Sequence, residues 1–289
     1  MKIDINIPLF FYGSNERMLA TKVVLKNYSR IVDFLSEKYN TELTLSIIGS
    51  EKELSKKFME ENYDKEYTYH EFDQKLMKFD PTARKGRHIL YDMISKKFQY
   101  GFKRSFEKKP NIALLAGSND FISYRFFEQV VNFYRNDQKQ IYGICSYDNG
   151  RKNKVLYHTI TNELKFSDEM FWTTGVAHGR DKFLYVGGIY GMNDAIFEPH
   201  VEYVIKNTSY DEGSNEQKLL QIRGTVPLHS KNCYFVNIKV SDPKCELTPG
   251  YILIDGLKKN NRILDYESFD EEFKNDFEKE YMSIIKQYK

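Results

Sequence analysis

Between Asn111 and Gly117 the chain runs NIALLAG, a continuous apolar stretch, and then turns polar at Ser118-Asn119-Asp120. Two small residues, an amide and a carboxylate at the end of a buried strand permit two kinds of chemistry. Gly, Ser, Asn and Asp turn the backbone or cap a following helix. A carboxylate in that place also offers oxygen to a hard cation or a ligand. The same residue types recur after two other apolar runs, at Tyr12-Gly13-Ser14-Asn15 and at Gly49-Ser50-Glu51. A turn accounts for any one of them. Three on one sheet edge point to a ligand cleft, because open α/β sheets bind ligands at the carboxyl ends of their strands.

Other chemistries fall away. None of the three strand ends is a G-x-G-x-x-G or a G-x-x-x-x-G-K-[ST], which sets aside the dinucleotide and P-loop readings. The six histidines (70, 88, 158, 178, 200, 229) show no H-E-x-x-H or comparable ligand spacing. No G-x-S-x-G elbow is present, and Cys145, Cys233 and Cys245 have no obvious partner, which argues against a hydrolase. Three distant cysteines without a C-x-x-C also argue against a disulfide scaffold and fit a reducing compartment. The start, MKIDINIPLFFYG, is too short and polar for a signal peptide, and no run approaches the about 18 residues of a spanning helix. A soluble cytoplasmic protein is expected. The net charge of +2 favours no partner.

The elements that must hold these strand ends alternate. IDINIPLFFY reads as a strand, followed by helical spacing at Val24, Tyr28, Ile31, Val32, Leu35 and Tyr39. TELTLSII alternates as a strand, a charged helix spans about 51–61, and KEYTYHEF gives a short third strand. A helical pattern covers about 82–106. NIALLAG has the unbroken apolar character of a strand buried on both faces of a parallel sheet. Phe126, Phe127, Val130, Val131 and Tyr134 mark the next helix. QIYGICS, KVLYHTI, YFVNIKV and YILIDGL read as further strands, with a helix starting near Asn215. Repeated βα units mean an α/β fold with an open, mostly parallel twisted sheet flanked by helices. Residues 1–240 form that domain. Residues 241–289 form a C-terminal helical extension whose Phe269, Phe273, Phe277, Tyr281, Ile284 and Tyr288 pack back on it.

In this order the segments resemble a family. IPLFFYGSNERMLATKVVLKNY is similar to the opening strand and helix of GT-A-fold, family-2-like nucleotide-sugar glycosyltransferases. LTLSIIGSEKE is similar to their second strand, and LLAGSNDFIS to the strand ending in their Asp-x-Asp-type metal motif. GVAHGRDKFLYVGGIYGMND resembles their acceptor-side loop, and SNEQKLLQIR their Glu-Asp-x-x-Leu-x-x-Arg segment. The likeness covers roughly residues 5–225.

The resemblance implies that Asp120 ligates Mn²⁺ or Mg²⁺ against the donor's diphosphate, with Ser118 and Asn119 beside it. It implies that Tyr12, Gly13, Asn15, Arg17 and Glu51 touch the nucleoside, and that Thr174 and Gly175 sit near the transferred sugar. Trp172 stacks on a sugar face or belongs to the core. Glu216 takes the place of the catalytic base, with Asp211 and Glu212 in reserve, and an inverting reaction follows from such a base. A first-turn glutamate favoured by the helix dipole is the structural reading of Glu216. Where the family carries two or three carboxylates this chain has Ser-Asn-Asp, so the cation leans on the nucleotide or on a further residue such as His229, or is absent.

One segment points elsewhere. Between Arg84 and Lys109 nine Lys/Arg (84, 85, 87, 96, 97, 103, 104, 108, 109) face only Asp92 and Glu107, with aromatics interleaved. Such a segment is either a nucleic-acid surface or a solvated helix face in which Arg84, Lys85 or Arg87 holds the diphosphate. The acceptor is accordingly a glycan or a hydroxymethylated base in DNA, as for some viral glycosyltransferases. The rival reading is a non-catalytic nucleic-acid-binding protein.

Overall fold

A computed structural model describes residues 1–11, 15–72, 97, 100–101, 103–105, 107–136, 143–145, 154–159, 164–167, 189–191, 227–229, 233–239, 255, 259 and 266–288. Two sheets organise these residues. The larger has seven strands in the order β10-β6-β9-β4-β1-β2-β3. They are β1 (Lys2–Pro8), β2 (Glu42–Gly49), β3 (Tyr67–Glu71), β4 (Ile112–Leu115), β6 (Gly143–Cys145), β9 (Ile189–Gly191) and β10 (Pro227–His229). Strands β3, β2, β1 and β4 pair in parallel, as do β6 and β10, and only β9 runs antiparallel to its neighbours. The open, mostly parallel sheet expected from the sequence is present.

The smaller sheet was not legible as a unit. Its order is β5-β11-β7-β8, formed by β5 (Asp120–Ile122), β7 (Lys154–Thr159), β8 (Leu164–Ser167) and β11 (Tyr234–Lys239). Strand β11 is antiparallel to β5 and parallel to β7. Of YILIDGL, read above as a strand, only Asp255 is among the described residues, and it is helical and exposed.

Helix α1 (Asn15–Tyr39) buries Ala20, Val24, Tyr28, Ile31 and Leu35 in one core with Ile3, Ile5 and Ile7 of β1 and Leu43, Leu45 and Ile47 of β2. It ends where Asn40 takes a left-handed conformation (φ 44°), which asparagine tolerates, and Thr41 N–H returns to Leu35 O at 3.1 Å. Helices α2 (Lys52–Asn62) and α3 (Tyr124–Asn136) follow β2 and β5.

The opposite side of β1 is polar and buried. Asp4 accepts hydrogen bonds from Thr44 Oγ1 (2.9 Å), Ser46 Oγ (2.7 Å) and Ser105 Oγ, and pairs with Lys108 at 3.4 Å. Thr44 and Ser46 come from β2, and Ser105 from the helical residues described between 97 and 107, where Lys97, Gly101 and Ser105 recur at four-residue spacing on one face.

The C-terminal helix α4 (Glu271–Phe277) is capped by Asp270, whose Oδ1 accepts from Phe273 N at 2.7 Å. It runs into a π turn (Glu278–Met282) and then Ser283–Ile285. Phe273, Phe277 and Tyr281 stack in sequence, and Tyr234 of β11 meets Phe273 and Phe277 edge-on at 5.6 and 5.5 Å. Phe269 and Ile284 are buried with them, whereas Tyr288, assigned to the same face, is 40% exposed. No described helix is long and apolar enough to cross a membrane.

Candidate functional site

Strand β1 lies between β2 and β4, and the chain builds outward through β2 and β3 before crossing back to β4. That reversal opens a crevice between the carboxyl ends of β1 and β4, the place where open α/β sheets bind ligands. Residues 117–120 follow β4 directly, and Leu9 to Phe11 follow β1.

Gly117 to Asp120 form a closed turn. Asp120 N donates to Gly117 O at 3.2 Å, and Gly117 N donates back to Asp120 Oδ2 at 3.1 Å. Gly117 is required by this closeness, since a Cβ there would collide with the Asp120 carboxyl group. Asp120 does not cap α3; it opens β5, and its Oδ1 accepts from Asn237 Nδ2. Asn119 is fixed twice to β11: its backbone oxygen accepts from Ile238 N at 2.8 Å, and its Nδ2 donates to Ile238 O at 2.9 Å. Asp120 is only 2% exposed, and Ser118 and Asn119 are also buried.

The first turn of α1 reaches across the crevice. Arg17 Nη2 donates to Ser118 Oγ at 3.4 Å, and its guanidinium lies 5.6 Å from the Phe10 ring centroid. Arg17, Ser118, Asn119 and Asp120, chosen on sequence alone, therefore stand together. Asn15 is exposed at the start of the same helix. Glu51 sits before α2 without capping it, and its charge is felt at Lys97.

Lys97, counted above only within the basic segment, is fully buried behind the end of β1. Its Nζ donates to Leu9 O at 2.9 Å and lies 4.3 Å from the centroid of Phe10 and 5.8 Å from that of Phe72. Burial brings its pKa down to about 7, with the Glu51 carboxylate opposing and Arg17 reinforcing that shift. Its only sequence signal was the i, i+4, i+8 spacing with Gly101 and Ser105, hidden inside a run of basic residues. Two others of that run are paired: Lys108 reaches the buried Asp4, and Arg104 meets Glu107 at 3.0 Å on the surface.

His229 ends β10, with β6 and β9 between it and β4, which is about 14 Å at three strand spacings. Among the described residues no three His, Cys, Asp or Glu side chains gather as a metal centre. One feature at Asp120 nevertheless suits a hard cation: the Asn237 amide bonded to it has a buried Oδ1 that accepts no hydrogen bond among the described residues. Tyr12, Gly13, Arg87, Trp172, Thr174, Gly175, Asp211, Glu212 and Glu216 lie outside the described residues.

No family model matches the chain, and no curated protein does. Among solved structures it is similar to S. aureus TarS 1–349 in complex with UDP-GlcNAc, at 12% identity and a TM-score of 0.30. That match covers 52% of this chain and 36% of the TarS chain, so the chain spans about a third of that relative. It is also similar to a protein assigned as a nucleotide-diphospho-sugar transferase from Desulfovibrio desulfuricans G20, at 9% identity and a TM-score of 0.38 over 99% of this chain and 97% of that one. A 4-diphosphocytidyl-2C-methyl-D-erythritol synthase from Anaerococcus prevotii DSM 20548 gives 14% identity and a TM-score of 0.38 over 90% and 96%. The structural similarity is low in each case, and the α/β fold class rests on the chain's own sheet order.

Proposed function

We propose that this chain is a nucleotide-sugar-dependent glycosyltransferase of GT-A type, moving a sugar from a UDP-sugar to an acceptor hydroxyl. The observation that carries this reading is the Gly117–Asp120 turn, a buried carboxyl group at the switch point of a mostly parallel sheet, joined through Ser118 to Arg17. An anionic donor suits the basic groups that converge there, Arg17 on one lip and Lys97 behind the end of β1. A divalent cation held at Asp120 would supply Lewis-acid stabilisation to the departing diphosphate. Glu216 is the proposed base that takes the acceptor's proton, with inversion at the anomeric carbon, and Asp211 and Glu212 are its reserves. The acceptor is a glycan hydroxyl; a hydroxymethylated DNA base would have to be flipped out of its stack first.

The test is a melting-temperature panel of nucleoside-diphosphate sugars with and without Mn²⁺, on the wild type and Asp120→Ala. Stabilisation by one sugar nucleotide that requires Mn²⁺ and disappears in D120A supports the assignment. Full transfer activity in D120A overturns it. Salt-sensitive DNA binding without any response to sugar nucleotides would instead mark a nucleic-acid-binding protein.

A further inference from the structure

Asn237 stands opposite Asp120 in the antiparallel β5–β11 register. Its Nδ2 donates to Asp120 Oδ1, so the orientation of the amide is set by that bond. Its own Oδ1 is buried and accepts no hydrogen bond among the described residues. Leaving a buried acceptor unmatched costs about 1–3 kcal/mol. The clasp between the turn and β11 does not require this amide, because both Asn119–Ile238 bonds already hold it. A valine or threonine in its place would complete the strand with nothing left over.

We propose that Asn237 Oδ1 is the second protein oxygen of a divalent-cation site, set beside the carboxylate of Asp120. The inference rests on the reading of Asp120 as a cation ligand. Hard cations accept amide carbonyls as well as carboxylates, and Mg²⁺-like ions make do with one or two protein oxygens alongside waters and phosphates. A neutral amide also adds no second charge beside a buried carboxylate, which would be costly without the metal. The Nδ2–H bond to Asp120 acts as the outer contact that aims a ligand, as hydrogen bonds around metal sites do. This explains how a chain with Ser-Asn-Asp at the end of β4 keeps a cation site: the missing acidic oxygen is replaced by an amide oxygen 117 residues further on.

The experiment is Mn²⁺ binding, read from the free-ion electron paramagnetic resonance signal, on wild type, D120A, N237A and N237D, with melting temperatures taken with and without Mn²⁺. The expected result is binding by the wild type, its loss in D120A and at least tenfold weakening in N237A. N237D, nearly the same shape, is expected to melt lower without metal, to bind Mn²⁺ more tightly than the wild type and to be rescued by it. If N237A and N237D bind Mn²⁺ as the wild type does while D120A does not, Asn237 only fixes the turn and the inference fails alone. If the folded wild type binds no Mn²⁺, or D120A keeps it, the reading of Asp120 fails instead.

Discussion

The Tyr234 hydroxyl donates to Glu280 Oε2 at 2.6 Å, tying strand β11 to the π turn of the C-terminal helix. The same oxygen accepts from Tyr124 N at 3.3 Å, at the start of α3. Burial pushes the Glu280 carboxyl up to about 7; these two hydrogen bonds and Arg125 pull it down, and Asp276 adds to the rise. A carboxyl with a raised pKa stabilises the fold fully below its unfolded value, near 4.5, and that contribution is lost as pH rises through about 7. Stability should therefore fall by up to about 3 kcal/mol from this group between pH 5 and 8. Glu280→Gln, which still accepts both bonds, should flatten that part of the melting-temperature profile and match or exceed the wild type at pH 8. An unchanged slope in E280Q would assign the pH dependence to other groups.

Lys97 gives a contribution of the opposite sense. Its pKa is depressed to about 7, so its contribution is complete above the ordinary lysine value and is lost as pH falls through about 7. Lys97→Met keeps the length and apolar stem but removes the charge. The difference in urea unfolding free energy between pH 9 and pH 7 should shrink in K97M by several kcal/mol at most. Equal pH dependence in the two proteins would show that the ammonium is well solvated.

Two glycines are held by neighbours rather than by backbone angle. A Cβ at Gly49 would lie 2.6 Å from Ser55 Oγ and 2.7 Å from Tyr69 Oη, and one at Gly117 would strike the Asp120 carboxyl group. Gly49→Ala and Gly117→Ala should each cost about 1–3 kcal/mol, read from denaturant midpoints. Only Gly117→Ala should also weaken Mn²⁺ binding, because it displaces Asp120. Identical metal affinity in both variants would separate the turn from the site.

Asp4 and Lys108 form an ion pair buried on the carboxylate side. Asp4→Asn should destabilise by about 1–3 kcal/mol, since it changes the acceptor for three hydroxyls, while the Lys108 ammonium stays partly exposed and bonded to Ser46 Oγ. Lys108→Met should cost at least as much, because it leaves the Asp4 carboxylate, 2% exposed, without its cation. The double variant should be milder than the sum of the two. Strict additivity in the cycle would mean the pair contributes nothing.

Much of the frame was legible because its signals are local. β1 to β4, α1 and the helix of Phe126 and Phe127 announce themselves by period, and the Gly/Ser/Asn/Asp cluster at 117–120 falls where the crevice opens. The smaller sheet was not, since β5 has three residues and its pairing with β11 joins positions 117 residues apart. Asn237 looked like a polar position on a half-buried strand, with Tyr234, Val236 and Ile238 facing the core. Lys97 looked like surface charge, because nothing near it in sequence reveals the Leu9 carbonyl and two rings that receive it. The π turn at Glu280 likewise depends on Tyr234 and leaves no periodic trace.

The double tie between Asn119 and Ile238 has a consequence for biosynthesis. A nascent chain that has emerged only as far as β10 carries strands β1 to β4 and the helices that cover them. Its crevice nonetheless lacks the backbone partners that lock the loop after β4. The turn after β4 is thus left unlocked until the segment ending at Lys239 has left the ribosome, more than a hundred residues after the turn itself.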